Sequence, residues 1–99
     1  MQVAISISPS ASAEDGSVSE SVAEAVRIIR DSGLPNETNA MFTNIEGEWD
    51  DVMAVVKQAV DVVAAVAPRV SLVLKADIRP GYTGQLTAKV ARVDEALGD

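Results

Sequence analysis

The 99-residue sequence predicts an α+β domain in which two helices cover one face of a four-stranded antiparallel sheet. Apolar residues alternate with small or polar residues near the start of the chain and again after Pro68, as in half-buried strands. Two longer segments, and a third at the end, instead repeat apolar residues at helical spacing. The resulting order, β, α, β, β, α, β and a final helix, is the ferredoxin-like βαββαβ arrangement with an appended C-terminal helix. Residues 1–99 are expected to form a single domain.

The first strand and the first helix have clear sequence signals. Residues 3–8 alternate between aliphatic side chains and small or polar ones, and a proline ends this strand. After a loop of small residues, Ser17 and Glu20 form a capping box for a helix with valines and isoleucines on one face. Gly33 is expected to end that helix at its C′ position, and Pro35 prevents its continuation.

The middle of the chain predicts a compact strand pair followed by a long helix. Residues 36–47 have room for two short strands with a tight reversal near residues 41–43. Gly47 is expected to end the second strand by adopting backbone angles that other residues avoid. Residues 48–67 are rich in valine, which favours strands, but their length and an apolar stripe at helical spacing favour a helix.

The last third of the chain predicts a strand, a turn-rich loop and a helix. The strand is expected over residues 69–78 and the loop over residues 79–84. The final helix ends at Gly98 and carries an apolar stripe of Leu86, Val90, Val93 and Leu97. Because the two long helices cover one sheet face, we expect this helix or another subunit to cover the other face.

The composition excludes several classes of function. Eight basic and fifteen acidic residues give a net charge of −7, which repels nucleic acid and anionic membranes. The chain has no cysteine and no histidine, so disulfides, thiolate nucleophiles, Cys/His zinc sites and an imidazole base are excluded. No paired acids have a recognisable catalytic spacing, and we expect neither an enzyme nor a cofactor.

The sequence also predicts a soluble, cytoplasmic location. The N-terminus has neither the basic region nor the long apolar region of a signal peptide. The longest nearly apolar run, residues 59–68, is interrupted by Asp61 and is too short to cross a bilayer. Aromatic residues make up only 3% of the chain, so the core must be aliphatic, and association into oligomers is expected to support so small a domain.

The only tryptophan, Trp49, lies among acidic residues at the predicted start of the second long helix. Glu48, Asp50 and Asp51 are then in the first helical turn, where negative charge is favourable. A lone tryptophan is usually a packing anchor. Beside carboxylates, it is also suited to hold a cationic heteroaromatic ring by stacking and cation–π attraction. The sequence leaves both interpretations open.

Three segments together resemble the thiamine-binding protein family, also called YkoF-like. They are the strand at residues 3–9, the first helix with its stop at residues 32–35, and the run at residues 45–50, which reads I-E-G-E-W-D. The resemblance covers nearly the whole chain. It implies a ferredoxin-like subunit that assembles into dimers and tetramers and binds thiamine, or its hydroxymethylpyrimidine moiety, without catalysis. Phe42 departs from the pattern, because a small residue is expected before Thr43.

Candidate ligand contacts follow from this resemblance and from the chemistry of thiamine. Glu46 is the leading candidate for recognising the positive thiazolium, and Thr43 and Asn44 for hydrogen bonds to the pyrimidine edge. All three are also ordinary hairpin or capping residues. The remaining candidate pocket walls are Ser6, Ser8, Met41, Phe42 and Trp49. The predicted protein is a homotetramer that binds a small ligand; the alternative is a structural or regulatory oligomer that binds none.

Overall fold

A computed structural model describes residues 1–10 and 17–98 of the chain. Its elements are β1 (Gln2–Pro9), α1 (Ser17–Arg30), β2 (Asn36–Thr38), β3 (Thr43–Glu46), α2 (Trp49–Ala64), β4 (Val70–Asp77) and α3 (Gln85–Leu97). The four strands form one sheet in the order β2-β3-β1-β4, and all neighbouring strands are antiparallel. The predicted ferredoxin-like arrangement with an appended helix is therefore confirmed.

The core lies between the sheet and the helices α1 and α2. Strand β1 supplies Val3 and Ile5, which are buried, and Ile45 of β3 pairs with Val3 and is buried with it. Helices α1 and α2 close this layer with an aliphatic cluster, of which the buried members are Ala25, Ile29, Val52, Val56, Ala59 and Val63. The residues between these on each strand point to the opposite face, as the period of two requires.

Helix α1 ends at Arg30, so Gly33 lies one position further from the helix than the predicted C′ position. Gly33 has a φ of 83°, a left-handed conformation that favours glycine, and the Ser32 backbone N–H donates to the Ile29 carbonyl at 3.2 Å. The loop is predicted over residues 10–16, of which residues 11–16 lie outside the described residues. So does the Ser17 side chain, on which the predicted capping box depends.

The hairpin reverses earlier than predicted. Residues 39–42 form the connection, and Thr43 is already the first residue of β3, so the predicted reversal at residues 41–43 is misplaced. Asn39 explains the difference, because its side-chain oxygen accepts the backbone N–H groups of Met41 and Phe42, both at 2.9 Å. An asparagine side chain that bonds the backbone two or three residues on builds a turn by itself.

Gly47 is required for a reason other than the predicted one. Its φ is not among the positive values found in this chain, so it does not need a left-handed backbone. A Cβ at this position would lie 3.2 Å from a methyl carbon of Leu34 and 3.2 Å from one of Val52. Gly47 also extends the β1–β3 pairing, since its N–H donates to the Met1 carbonyl at 2.9 Å. Close packing therefore favours glycine here.

Helix α2 begins with Trp49, and Glu48 is its N-cap residue. The helix ends at Ala64, three residues before the predicted end. The Ala65 and Ala67 N–H groups still bond the carbonyls of Asp61 and Val63 at 3.0 Å, so the chain completes a turn before Pro68. Tertiary packing of one face thus overrides the strand preference of its valines.

Helix α3 lies on the sheet face that α1 and α2 leave bare. Its first backbone N–H, from Gln85, donates to the Glu46 carboxylate, and Lys89 forms an ion pair with Asp77 at 3.7 Å. Leu86 is half-buried, but Val90, Val93 and Leu97 are exposed. Of the predicted stripe, Leu86 alone is shielded within this subunit, and burial of the other three side chains against another subunit stays a prediction. No described helix has both the length and the apolar character needed to span a membrane.

Candidate functional site

A cavity of about 190 Å³ lies where β1, α1 and the β2–β3 hairpin meet, and we call it the hairpin cavity. Strand β1 and helix α1 supply aliphatic walls, and the hairpin supplies most of the polar groups. Its lining residues are Ile5, Ser6, Ile7, Val22, Ala25, Val26, Ile29, Thr38, Asn39, Ala40, Met41, Phe42 and Thr43. The cavity is thus an apolar slot with a polar edge.

Two threonine hydroxyls provide that polar edge. Thr38 and Thr43 are opposite each other across β2 and β3, and their Oγ1 atoms are 3.3 Å apart. Thr43 is buried, whereas Asn39 at the turn is exposed. A hydroxyl donates one hydrogen bond and accepts others, so the pair can meet either a donor or an acceptor on a ligand. Among the described residues, no carboxylate or amine lines the cavity.

The structure brings four of the predicted site residues together at this cavity. Thr43 contributes its hydroxyl, and Ser6 borders the cavity from β1. Phe42 is half-buried and supplies the aromatic ring of the hairpin cavity, while Met41 is exposed at the mouth of the same cavity. Of the α1 residues that line the cavity, Val22, Val26 and Ile29 are predicted by the sequence only as an apolar helix face, and Ala25 is not part of that predicted face. The helical spacing of such a face identifies core residues but gives no sign that a cavity borders them.

Glu46 lies on the other face of the sheet and has a structural partner. Its side chain is only 7% exposed, and both carboxylate oxygens accept the Gln85 N–H at 3.0 Å. A carboxylate at a helix N-terminus satisfies an otherwise unpaired N–H and interacts favourably with the helix dipole. In this structure, Glu46 therefore fixes the start of α3.

Asn44 and Ser8 also lie away from the hairpin cavity. The Asn44 amide donates to the Glu37 carboxylate at 3.1 Å. Asn44 borders a cavity of about 390 Å³ under α3, whose lining includes Lys75 and Lys89. Ser8 is exposed near the far end of β1, where it pairs with Ser71. The eight predicted residues therefore do not form one site.

Trp49 begins α2, as predicted, but it is 53% exposed, so the packing-anchor interpretation is wrong. It lines a separate cavity of about 270 Å³, which we call the rim cleft. The rim cleft is lined by Met1, Glu48, Trp49, Ile78, Arg79, Pro80, Gly81, Tyr82 and Thr83. The sequence predicts Trp49 and Glu48 at the start of this helix but predicts residues 79–84 only as a loop.

Replacing Trp49 with alanine should reduce stability only modestly. A buried tryptophan truncated to alanine typically costs about 3–5 kcal/mol, and we expect about 1 kcal/mol here because half of the side chain already meets water. Urea unfolding followed by far-ultraviolet circular dichroism measures the difference. The control is Ile45→Ala, in a fully buried side chain, which should cost about 2–5 kcal/mol. Equal losses of stability in the two variants would contradict the exposed position of Trp49.

Within the described residues, no group of three or more Asp or Glu side chains is arranged to hold a metal ion. The rim cleft is lined by three residues with ionisable side chains, Glu48, Arg79 and Tyr82, and by Met1, which carries the α-ammonium group. The described lining of the hairpin cavity contains no ionisable side chain. The chemistry available at the hairpin cavity is hydrogen bonding and apolar contact.

Comparisons with known proteins agree with this architecture. Relatives named UPF0045 proteins include one from Mycobacterium tuberculosis, which is 57% identical over 96 residues that cover 96% of this chain and 92% of the relative. A domain of unknown function (DUF77) from Bacillus cereus superposes with a TM-score of 0.80 at 30% identity and covers 92% of this chain and 86% of that one.

A Thermotoga maritima protein named for thiamine biosynthesis or salvage superposes with a TM-score of 0.76 at 28% identity, over 93% of this chain and 96% of that one. The family model described as "Thiamine-binding protein" matches residues 3–94, which is nearly the whole chain. With its ferredoxin-like sheet and appended helix, this chain belongs to the thiamine-binding protein family.

Proposed function

We propose that this protein binds thiamine through its hydroxymethylpyrimidine moiety in the hairpin cavity, without catalysis and as a homo-oligomer. Family membership and the thiamine-related structural neighbour support the ligand class. The observation that carries the choice of site is the hairpin cavity itself. It combines buried aliphatic walls, the half-buried ring of Phe42 and the paired hydroxyls of Thr38 and Thr43.

The neutral pyrimidine ring fits the hairpin cavity better than the cationic thiazolium does. Drug-sized ligands occupy cavities of about 300–1,000 Å³, so a volume of about 190 Å³ suits one ring rather than two. Aliphatic walls accept the faces of the pyrimidine, and its donor and acceptor edge meets the threonine pair. A buried cation would need a carboxylate that the described lining does not contain.

The thiazolium then lies at the mouth of the cavity. Met41 and Asn39 are exposed there, so water solvates the positive ring. The net charge of −7 favours a cation near this surface over an anion. Hydroxyl and amide groups line the described cavity without a carboxylate, amine or imidazole for proton transfer, which supports binding without catalysis.

Titration calorimetry on ligand-stripped protein tests this proposal. We expect thiamine and free hydroxymethylpyrimidine to bind with similar affinities, because the pyrimidine makes the buried contacts. Thr43→Val should weaken the binding of both compounds by about 2- to 10-fold, because the variant loses one hydrogen bond that contributes about 0.5–1.5 kcal/mol. Thr87→Val, on the exposed surface of α3, is the control and should bind normally. No binding to either compound at millimolar concentration would exclude the proposed ligand.

We propose a homotetramer as the assembled form. Val90, Val93 and Leu97 are each more than half exposed and lie on one face of α3. An exposed apolar stripe on a small aliphatic domain indicates contact with another subunit. Val93→Glu should therefore lower the mass measured by light scattering, and the neighbouring Arg92→Glu should leave it unchanged. A wild-type chain that stays monomeric at micromolar concentration would rule out the tetramer.

The same stripe supports the second candidate function, a structural or regulatory oligomer that binds no small ligand. This alternative requires assembly but not the hairpin cavity. It gains support if Val93→Glu disrupts the oligomer while the stripped wild-type protein binds neither thiamine nor hydroxymethylpyrimidine. The two functions are therefore separated by the calorimetry, and not by the mass measurement.

A further inference from the structure

We propose that the rim cleft is a second binding site, which takes a neutral nitrogen heteroaromatic ring that carries an exocyclic amino group. The rim cleft is separate from the hairpin cavity, since β3 begins at the hairpin and ends just before Glu48 and Trp49. The two cavities share no lining residue. This site therefore stands whether or not the hairpin cavity binds thiamine.

Most of the aromatic residues of the chain lie in the rim cleft. The chain has one Trp, one Tyr and one Phe, and two of these three line the rim cleft. Trp49 is 53% exposed and Tyr82 is 48% exposed. The buried hydrophobic core is aliphatic, so neither ring is used to build it. Aromatic rings with free faces stack favourably on planar ligands. The rim cleft thus concentrates the stacking surface of the molecule.

A hydrogen-bonded turn holds one of these rings, that of Tyr82. Arg79, Pro80, Gly81 and Tyr82 form a turn with proline at the second position and glycine at the third, where φ is 83°. The Tyr82 N–H donates to the Arg79 carbonyl at 3.2 Å, which closes the turn. This turn brings the Arg79 guanidinium to 3.6 Å from the centre of the Tyr82 ring. The cation–π contact fixes the orientation of the ring before a ligand arrives.

The rim cleft also contains a carboxylate for polar recognition of a ligand. Glu48 is the N-cap residue of α2, yet its side chain makes no capping hydrogen bond, and it lines the rim cleft. Its carboxylate is therefore available to accept an N–H from a ligand, as carboxylates accept the amino groups of heteroaromatic bases. An exocyclic amino group on a ring stacked against Trp49 supplies that donor.

Charge and volume narrow the ligand class further. The described lining of the rim cleft carries one carboxylate, Glu48, and one guanidinium, Arg79, while Asp50 and Asp51 lie outside it. These opposite charges favour a neutral ring over a charged one. The volume of about 270 Å³ is just below the range for drug-sized ligands and suits a single ring system. Neutral amino-heteroaromatic rings meet both of these conditions.

The test uses the single indole N–H of Trp49 as a reporter in nitrogen-15 correlation spectra of the full-length protein. 4-Aminopyrimidine is expected to shift this resonance in a saturable way, and pyrimidine, which lacks the amino group, to bind at least about fivefold more weakly. Tyr82→Leu and Glu48→Gln should each weaken the binding of 4-aminopyrimidine by about fivefold or more. Both positions are exposed, so the fold should tolerate either change.

Two control variants assign the effect to the rim cleft. Phe42→Leu removes the third aromatic ring, in the hairpin cavity, and Glu24→Gln removes an exposed carboxylate of α1. Both should keep the wild-type Trp49 response. An unmoved resonance at millimolar 4-aminopyrimidine overturns the second site, as does a response that Tyr82→Leu and Glu48→Gln leave unchanged. A response lost in Phe42→Leu alone would place the ligand in the hairpin cavity and likewise overturn it.

Discussion

Ala25→Leu is expected to lower the affinity for hydroxymethylpyrimidine by about 100-fold or more, or about 2.7 kcal/mol. Ala25 is almost fully buried and lines the hairpin cavity, so the longer side chain projects into a space of about 190 Å³ and occupies the position of the ring. Filling an existing cavity avoids most of the strain of overpacking. Stability should therefore change little while binding is lost, and titration calorimetry with urea unfolding measures both quantities.

Ala59→Leu is the matched control for Ala25→Leu. Ala59 is fully buried in α2 and does not line the hairpin cavity. The added volume has no empty space to enter, so this variant should lose about 1–3 kcal/mol of stability and keep its affinity for the pyrimidine. If Ala25→Leu binds as tightly as the wild type, the ligand occupies some other part of the molecule.

The sequence predicts most of the fold because its strongest signals are local and periodic. The alternation in residues 3–8 and the valine stripe of α2 each identify an element without reference to the rest of the chain. The position of the hairpin reversal is predicted wrongly because one side chain determines the path of the backbone there. Asn39 bonds the backbone N–H groups of Met41 and Phe42 and moves the hairpin reversal, which alternation alone does not reveal.

The candidate site is harder to predict because it depends on contacts between distant segments. Thr43, Met41 and Phe42 were identified because they are close in sequence and the hairpin keeps them close in space. Glu46 follows Thr43 closely in sequence, but its side chain points to the other face of the sheet. There it accepts a hydrogen bond from Gln85, which lies 39 residues further along the chain. No local pattern contains that contact. Trp49 similarly joins Tyr82 in the rim cleft only through the loop that follows β4.

Glu46→Ala is expected to reduce the free energy of unfolding by about 1.5–3 kcal/mol, the contribution of a hydrogen bond to a charged group. The substitution leaves the Gln85 N–H without its carboxylate and removes a buried side chain that holds the start of α3 to the sheet. Urea unfolding measures the loss, and hydrogen exchange of the Gln85 amide should accelerate because α3 detaches more often. The affinity for thiamine should stay within about twofold of the wild type, because Glu46 does not line the hairpin cavity.

Glu46→Gln separates the structural role of this carboxylate from a role in ligand recognition. Glutamine keeps one side-chain oxygen as an acceptor for the Gln85 N–H but lacks the negative charge. Its loss of stability should therefore be smaller than that of Glu46→Ala, and its affinity for thiamine unchanged. If both variants instead remain as stable as the wild type and bind the cationic vitamin at least about tenfold more weakly than the neutral pyrimidine, Glu46 recognises the thiazolium rather than the helix.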